Sequence, residues 1–378
     1  MDAPATAKIL CALQAMPDPR HHNIRHKLID ILTIALFAVI GGAEGWVDVV
    51  RYGRSKREWL KGFLELPNGI PSHDTFGDVF ARLDPDALEA CFRAWMASMV
   101  QLAGGKLVAI DGKSLRRSFE HGWDKSGMAH MVSAFVQANH MVFAQVKTDG
   151  KGQELDGIHK LLGLLELEGA VVTIDALGCQ KNIAQDILDA HGQYVLQVKD
   201  NQPTLHEKLQ VLFKELMLEK FAGTRHDYFP ETDGDHGRIE TRRVWVCWEV
   251  QLLGELAGEW PGLKSLILVQ RTREVNGQVS VELHYYISSL DGRHTAKQFG
   301  GYIRGHWSVE NNLHWQLDVS FNEDQRRIRK DHGAENFSRL CRMSLNLLKN
   351  ETSAKVGIAT KRKMCGWDND YLLKVVMA

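Results

Sequence analysis

Leu107-Val108-Ala109-Ile110-Asp111 and Val171-Val172-Thr173-Ile174-Asp175 share one pattern, an apolar run closed by an aspartate. Short apolar runs rich in β-branched residues read as buried strands. An acid at the exit of such a strand is costly unless it is paired or holds a metal. If the second strand lies parallel beside the first, both aspartates emerge at one sheet edge, about 5 Å apart. Ligand sites in such sheets lie outside the carboxyl ends of strands. A third acid, Glu310, lies in the aromatic stretch Tyr302-Ile-Arg-Gly-His-Trp-Ser-Val-Glu310-Asn-Asn-Leu-His-Trp. Three converging carboxylates with Mg²⁺ suit phosphoryl transfer, where paired ions about 3.5–4 Å apart clamp the attacking and leaving oxygens.

Outward from these runs the period changes. Residues 1–103 read as helical: Leu28, Ile31, Leu32, Ala35, Leu36 and Val39 follow a helical spacing, and further helices are expected after Ser72 and over Leu88 to Met99. Gly104-Gly105 marks a boundary. Residues 104–200 give strands at Leu107–Asp111, Met131–Gln137, Met141–Lys147, Ala170–Asp175 and Tyr194–Lys199, with helices after the third and fourth. That order predicts an α/β fold, a mixed sheet with flanking helices. Residues 201–298 read as a β-rich insertion, with strands at Val244–Val250, Ser265–Arg271, Gln278–Val281 and His284–Ser288. Residues 299–350 return to helix and 351–378 form a basic tail. Leu313, Trp315, Leu317, Val319 and Phe321 alternate, which favours a strand there.

The chain has 378 residues, 44% hydrophobic and 25% charged, enough for two or three domains with ordinary cores. A net charge of −1 gives no global nucleic-acid signal. Positive charge is concentrated over residues 326–363, which reads either as a phosphate-binding patch or as a solvated helical face. Six scattered cysteines without a C-x-x-C pair argue against a zinc ribbon and a disulfide framework and suit a reducing cytoplasm. The apolar run Ile29–Ile40 is too short to span a bilayer, so no membrane partner is expected. Nucleotide-binding glycine motifs, H-E-x-x-H and the G-x-S-x-G elbow are missing.

Taken singly, each acid has an ordinary reading: a strand-end turn for Asp111 and a cap for Asp175. The repeated pattern raises both. Lys113, Arg116 and Arg117 follow Asp111 and could meet phosphates. Arg238, Arg242 and Arg243, in Asp233-Gly-Asp-His-Gly-Arg-Ile-Glu-Thr-Arg-Arg243, could grip a phosphate backbone or simply feed a β-hairpin. His21, His22, Arg25, His26 and Lys27 read as a solvated basic cluster. Near Glu310 lie Arg304 and His314, and on a helix Glu310, His314 and Asp318 would share a face. Trp307 and Trp315 could wedge or stack on bases, but core packing explains them without special assumption and is the reading preferred.

Ile-Asp111-Gly-Lys-Ser-Leu-Arg-Arg, Val-Val-Thr-Ile-Asp175-Ala-Leu-Gly-Cys-Gln, His-Gly-Arg-Ile-Glu-Thr-Arg-Arg and His-Trp-Ser-Val-Glu310-Asn-Asn-Leu-His-Trp-Gln-Leu-Asp together resemble the ISAs1-type insertion-sequence transposases, whose relatives are called H-repeat-associated proteins. Asp18-Pro-Arg20 and Ile70-Pro-Ser-His-Asp-Thr-Phe76 extend the resemblance to roughly residues 10–350. It implies a ribonuclease H-like core with Asp111, Asp175 and Glu310 as a DDE triad, and helix around Glu310. Two Mg²⁺ or Mn²⁺ ions are implied too, with double-stranded DNA (element ends and target) as partner and a homo-oligomer on DNA. The wider IS4-type pattern, Tyr-x2-Arg-x3-Glu-x6-Lys, is not kept: one residue separates Tyr302 from Arg304, five separate Arg304 from Glu310, and Leu317 stands at the Lys position. The expected function is metal-dependent strand cleavage and transfer. The alternatives are a non-catalytic DNA-binding relic and a nuclease that does not join.

Overall fold

A computed structural model describes residues 7–22, 24–99, 106–119, 128–148, 150–235 and 238–378. The expected boundary at Gly104-Gly105 lies outside the described residues. The chain forms two compact units. One comprises Met1–Gln101, Gly112–Gly157 and Glu310–Ala378; the other comprises Leu102–Asp111 and Ile158–Val309. Two of the crossings from unit to unit thus fall at residues the sequence singles out, directly after Asp111 and directly before Glu310.

Among the described residues the strands are β1 (Leu107–Ser114), β2 (His130–Val136), β3 (Met141–Thr148), β4 (Val171–Ile174), β5 (Gln193–Val198), β6 (His226–Asp235), β7 (Arg238–Cys247), β8 (Ser265–Val275) and β9 (Gln278–Ser288). The architecture is mixed α/β. In the second unit the hydrogen-bonded order is β1-β4-β5-β9-β8-β7-β6. β1 pairs parallel with β4, and β4 parallel with β5, while the other neighbours are antiparallel. The β-rich insertion therefore continues the same sheet through β9. Its first strand, β6, was not anticipated: Asp227, Glu231, Asp233 and Gly234 hide the pattern. Helix Ala296–His306 packs on β4, β5, β6 and β7. It starts at a capping box, with Thr295 accepting from the Gln298 amide and the Gln298 side chain accepting from Thr295. Its Phe299 and Ile303 join Val171, Val195, Val244, Ile267 and Tyr286 in the core. Each such side chain contributes roughly 1.5–3 kcal/mol on burial.

In the first unit β2 and β3 form the expected antiparallel hairpin. Helix Gly333–Asn350 is buried on nearly every side and packs on helices Leu28–Ile40, His73–Arg82 and Pro85–Ala97 and on β3. The expected start after Ser72 is met, with Ser72 capping His73–Arg82, whereas the helix expected from Leu88 begins earlier, at Pro85, capped by Asp84. No helix among the described residues is long and apolar enough to cross a membrane.

Two readings are corrected here. The alternating stretch at 313–321 is helical: a π-helical turn Glu310–His314 runs into helix Trp315–Val319. Leu313, Leu317 and Phe321, spaced by four, are buried, whereas Trp315 and Val319 are exposed. The basic stretch at 326–363 is neither a single patch nor a single solvated face: Arg327, Lys330, Lys355 and Lys363 are exposed, whereas four of its cations are interior. Arg339 pairs with Glu89 at 2.8 Å and Glu335 at 2.9 Å, and Arg342 with Glu323 at 2.8 Å, all buried. Lys361 and Arg362 are buried as well.

Candidate active site

The register of the second unit positions the two aspartates. Ile110 pairs with Ile174 as the last partners of the parallel β1–β4 ladder. Asp111 and Asp175 are the next residues on adjacent strands, and neighbouring strands lie about 4.8 Å apart. β1 does not end at its acid, as the apolar run suggested, but continues to Ser114. β4 does end, and Asp175 turns the chain into a short 3₁₀ turn, Ala176–Gly178. Its Oδ1 accepts from the Leu177 amide at 3.1 Å and the Gly178 amide at 3.4 Å. The cap that the sequence offered as the ordinary reading is present. Behind this edge, His306 Nδ1 lies 3.1 Å from the Thr173 hydroxyl, tying helix Ala296–His306 to β4.

In the first unit Glu310 opens the π-helical turn, with 65% of its side chain exposed, and His314 Nδ1 donates to its Oε2 at 3.3 Å. This hydrogen bond, aided by the His314 and Lys113 charges, holds the Glu310 carboxyl below the usual range against an opposing burial effect. The turn is braced by Lys349, whose Nζ donates to the Asn312 carbonyl at 2.6 Å. Burial pushes the Lys349 ammonium down to about 7. Lys113 is 9% exposed, and its Nζ lies 2.7 Å from both Asp318 oxygens. Arg116 is 77% exposed and pairs with Asp324 at 3.0 Å. Arg117 is half-buried, and its carbonyl accepts from Arg329 Nε at 3.1 Å.

The remaining candidates lie on the insertion and its neighbouring helix. Arg242 is paired with Glu240, Asp233 and Glu231. Arg304 binds Asp233 at 2.7 Å and Glu231 at 3.2 Å, and Arg243 donates to the Gln270 side chain at 3.4 Å. Arg238 begins β7, but its side chain lies outside the described residues, as does His236. Trp307 and Trp315, for which core packing is the preferred sequence reading, are instead 58% and 53% exposed, which corrects that reading.

One cluster had no sequence signal. Ser114 Oγ lies 2.9 Å from His130 Nδ1, and His130 Nε2 lies 3.2 Å from Glu154 Oε2. These residues are scattered in sequence and match no motif. Only the position of Ser114 within Asp-Gly-Lys-Ser hinted at them.

Residues 10–96 match the DDE_Tnp_1-associated domain and residues 103–347 the transposase DDE domain. The chain is 39% identical over 372 residues to the putative transposase YncI of Escherichia coli O157:H7, covering 97% of this chain and 94% of that one. It is 37% identical over 377 residues to the H repeat-associated putative transposase YhhI of Escherichia coli strain K12, covering 98% and 97%. Among solved structures, a piggyBac transposase synaptic complex with hairpin DNA aligns over 100% of this chain and 82% of that one. Its 11% identity and TM-score of 0.42 are too low to carry a shared fold.

Proposed function

The chain belongs to the transposase DDE-domain family, and from that premise we propose that it cleaves and joins DNA strands with Asp111, Asp175 and Glu310 as its metal-holding acids. The observation that carries this reading is the β1–β4 register, which brings two aspartates to the same end of adjacent parallel strands. The donor set fits the expected ions: carboxylates are hard oxygen ligands of the kind Mg²⁺ and Mn²⁺ take. Divalent ions bound there would supply charge to the attacking and leaving oxygens of an in-line displacement.

The protein's own groups orient that chemistry. His314 fixes the Glu310 carboxylate, and its hydrogen bond keeps the acid ionised. Lys113, paired with Asp318, places positive charge near Glu310. Arg116 and Arg117, together with Arg238, Arg242 and Arg243 of the insertion and Arg304 of helix Ala296–His306, are the groups proposed to hold the phosphate backbone. Arg242 and Arg304 would exchange carboxylate partners for phosphates, which suits planar bidentate groups. Exposed Trp307 and Trp315 offer faces for stacking on unpaired bases.

The test is a plasmid assay with element ends and Mg²⁺, run on the wild type, Asp111→Asn and Glu310→Gln. Joined products are expected from the wild type, and neither cleavage nor joining from the two variants, with retention of DNA unchanged. Nicks without joining would indicate a nuclease, and retention without cleavage a relic. Wild-type cleavage by either variant would remove that acid from the assignment.

A further inference from the structure

The register of β1 with β4 runs to Ile110, the residue before Asp111. Side chains alternate along a strand. Gly112 and Ser114 therefore face one side of β1, and Asp111 and Lys113 the other. On the Gly112 side sits the buried pair His130 and Glu154. A Cβ built on Gly112 would lie 2.5 Å from His130 Nε2 and closer still to Glu154 Oε1. The glycine thus lets a carboxylate and an imidazole press directly against the backbone next to Asp111. Ser114, two residues on, ties the same imidazole through Nδ1 at 2.9 Å. The strand is gripped at two successive positions on one face by side chains from β2 and from the start of helix Glu154–Leu162.

We propose that the Ser114–His130–Glu154 chain is a positioning device that fixes the Gly112 backbone and so aims the Asp111 carboxylate at its divalent cation. The proposal rests on the metal-holding reading of Asp111 given above. It is an unusual place to spend a buried carboxylate. A buried acid that only filled space would be replaced by an apolar group at no loss, since burying a charge is costly without partners. Outer groups that orient a ligand typically change metal affinity by about 10–100-fold when removed.

The experiment is calorimetric titration of Mn²⁺ into the intact chain, with thermal unfolding of the metal-free protein recorded alongside. The variants are Glu154→Gln, Ser114→Ala and Asp111→Asn. Glu154→Gln is expected to weaken Mn²⁺ binding by about 10–100-fold and Ser114→Ala by less. Both should melt near the wild-type temperature, and Asp111→Asn should lose the site. If Asp111→Asn loses Mn²⁺ while Glu154→Gln and Ser114→Ala bind like the wild type, the positioning role is overturned and the metal site stands. If Asp111→Asn binds Mn²⁺ like the wild type, the metal reading itself fails and this inference with it. An affinity loss accompanied by a collapse of metal-free melting would make the cluster structural only. Should Glu154→Gln not fold, Ser114→Ala, which removes one hydroxyl, decides alone.

Discussion

Asp175 carries two jobs that one substitution would confuse and a pair of substitutions separates. Its Oδ1 caps the turn at Leu177 and Gly178, and the proposed chemistry needs its negative charge. Asparagine caps about as well as aspartate, while alanine at such a position costs about 1 kcal/mol. Asp175→Asn is therefore expected to unfold in urea like the wild type but to lose strand cleavage. Asp175→Ala should lose cleavage and about 1 kcal/mol of stability as well. Cleavage by Asp175→Asn at the wild-type rate would leave the cap as its whole role. The apolar run closed by an acid was visible in the sequence at Asp111 and Asp175 alike. What the sequence could not tell was cap from ligand, because both ask for an aspartate one residue past a strand. Lys349 was illegible for a different reason. In sequence it is one more cation of a basic stretch, and only packing reveals a half-buried side chain whose ammonium donates to the Asn312 carbonyl.

The stretch from Leu313 to Phe321 shows how a true pattern at the scale of one element can support the wrong period. Apolar residues at every second position contain a spacing of four within them. The structure uses the latter, burying Leu313, Leu317 and Phe321 and exposing Trp315 and Val319. The unused residues are the ones free to meet a partner. Leu317→Ala is expected to cost about 2–5 kcal/mol as a buried truncation, and Val319→Ala about 0.5 kcal/mol or less, both measured by urea denaturation. Equal costs would mean that both faces are packed and that the strand-like reading deserved more weight. β9 was under-read for a related reason. Glu282 and His284 interrupt its apolar residues, so one strand from Gln278 to Ser288 looked like two short ones.

At the scale of the whole chain, contacts far apart in sequence decide what folds with what. The first unit draws on three separate segments, and helix Gly333–Asn350 is its centre. Through that helix the basic stretch enters the interior: Arg339 is 1% exposed and bonds Glu89, 250 residues earlier, at 2.8 Å. Glu89 also accepts from the Gln145 amide of β3 at 2.8 Å, so one carboxylate joins helix Pro85–Ala97, β3 and helix Gly333–Asn350. Sequence reading could find each element but not this junction, since a buried ion pair looks like two surface charges until the partners are known. Breaking such a pair strands a charge, whereas replacing both members by apolar groups removes the desolvation cost together with the attraction. Arg339→Leu alone is expected to destabilise by about 3–5 kcal/mol. Adding Glu89→Leu should recover only part of that loss, because buried Glu335 still lacks Arg339 and the Gln145 amide loses its acceptor, which costs about 1–3 kcal/mol for one unsatisfied buried donor. Urea denaturation of the two single variants and the double variant measures the coupling. If the double variant falls by the sum of the singles, the pair is not coupled, and the view that this junction holds the three segments together through Arg339 is wrong.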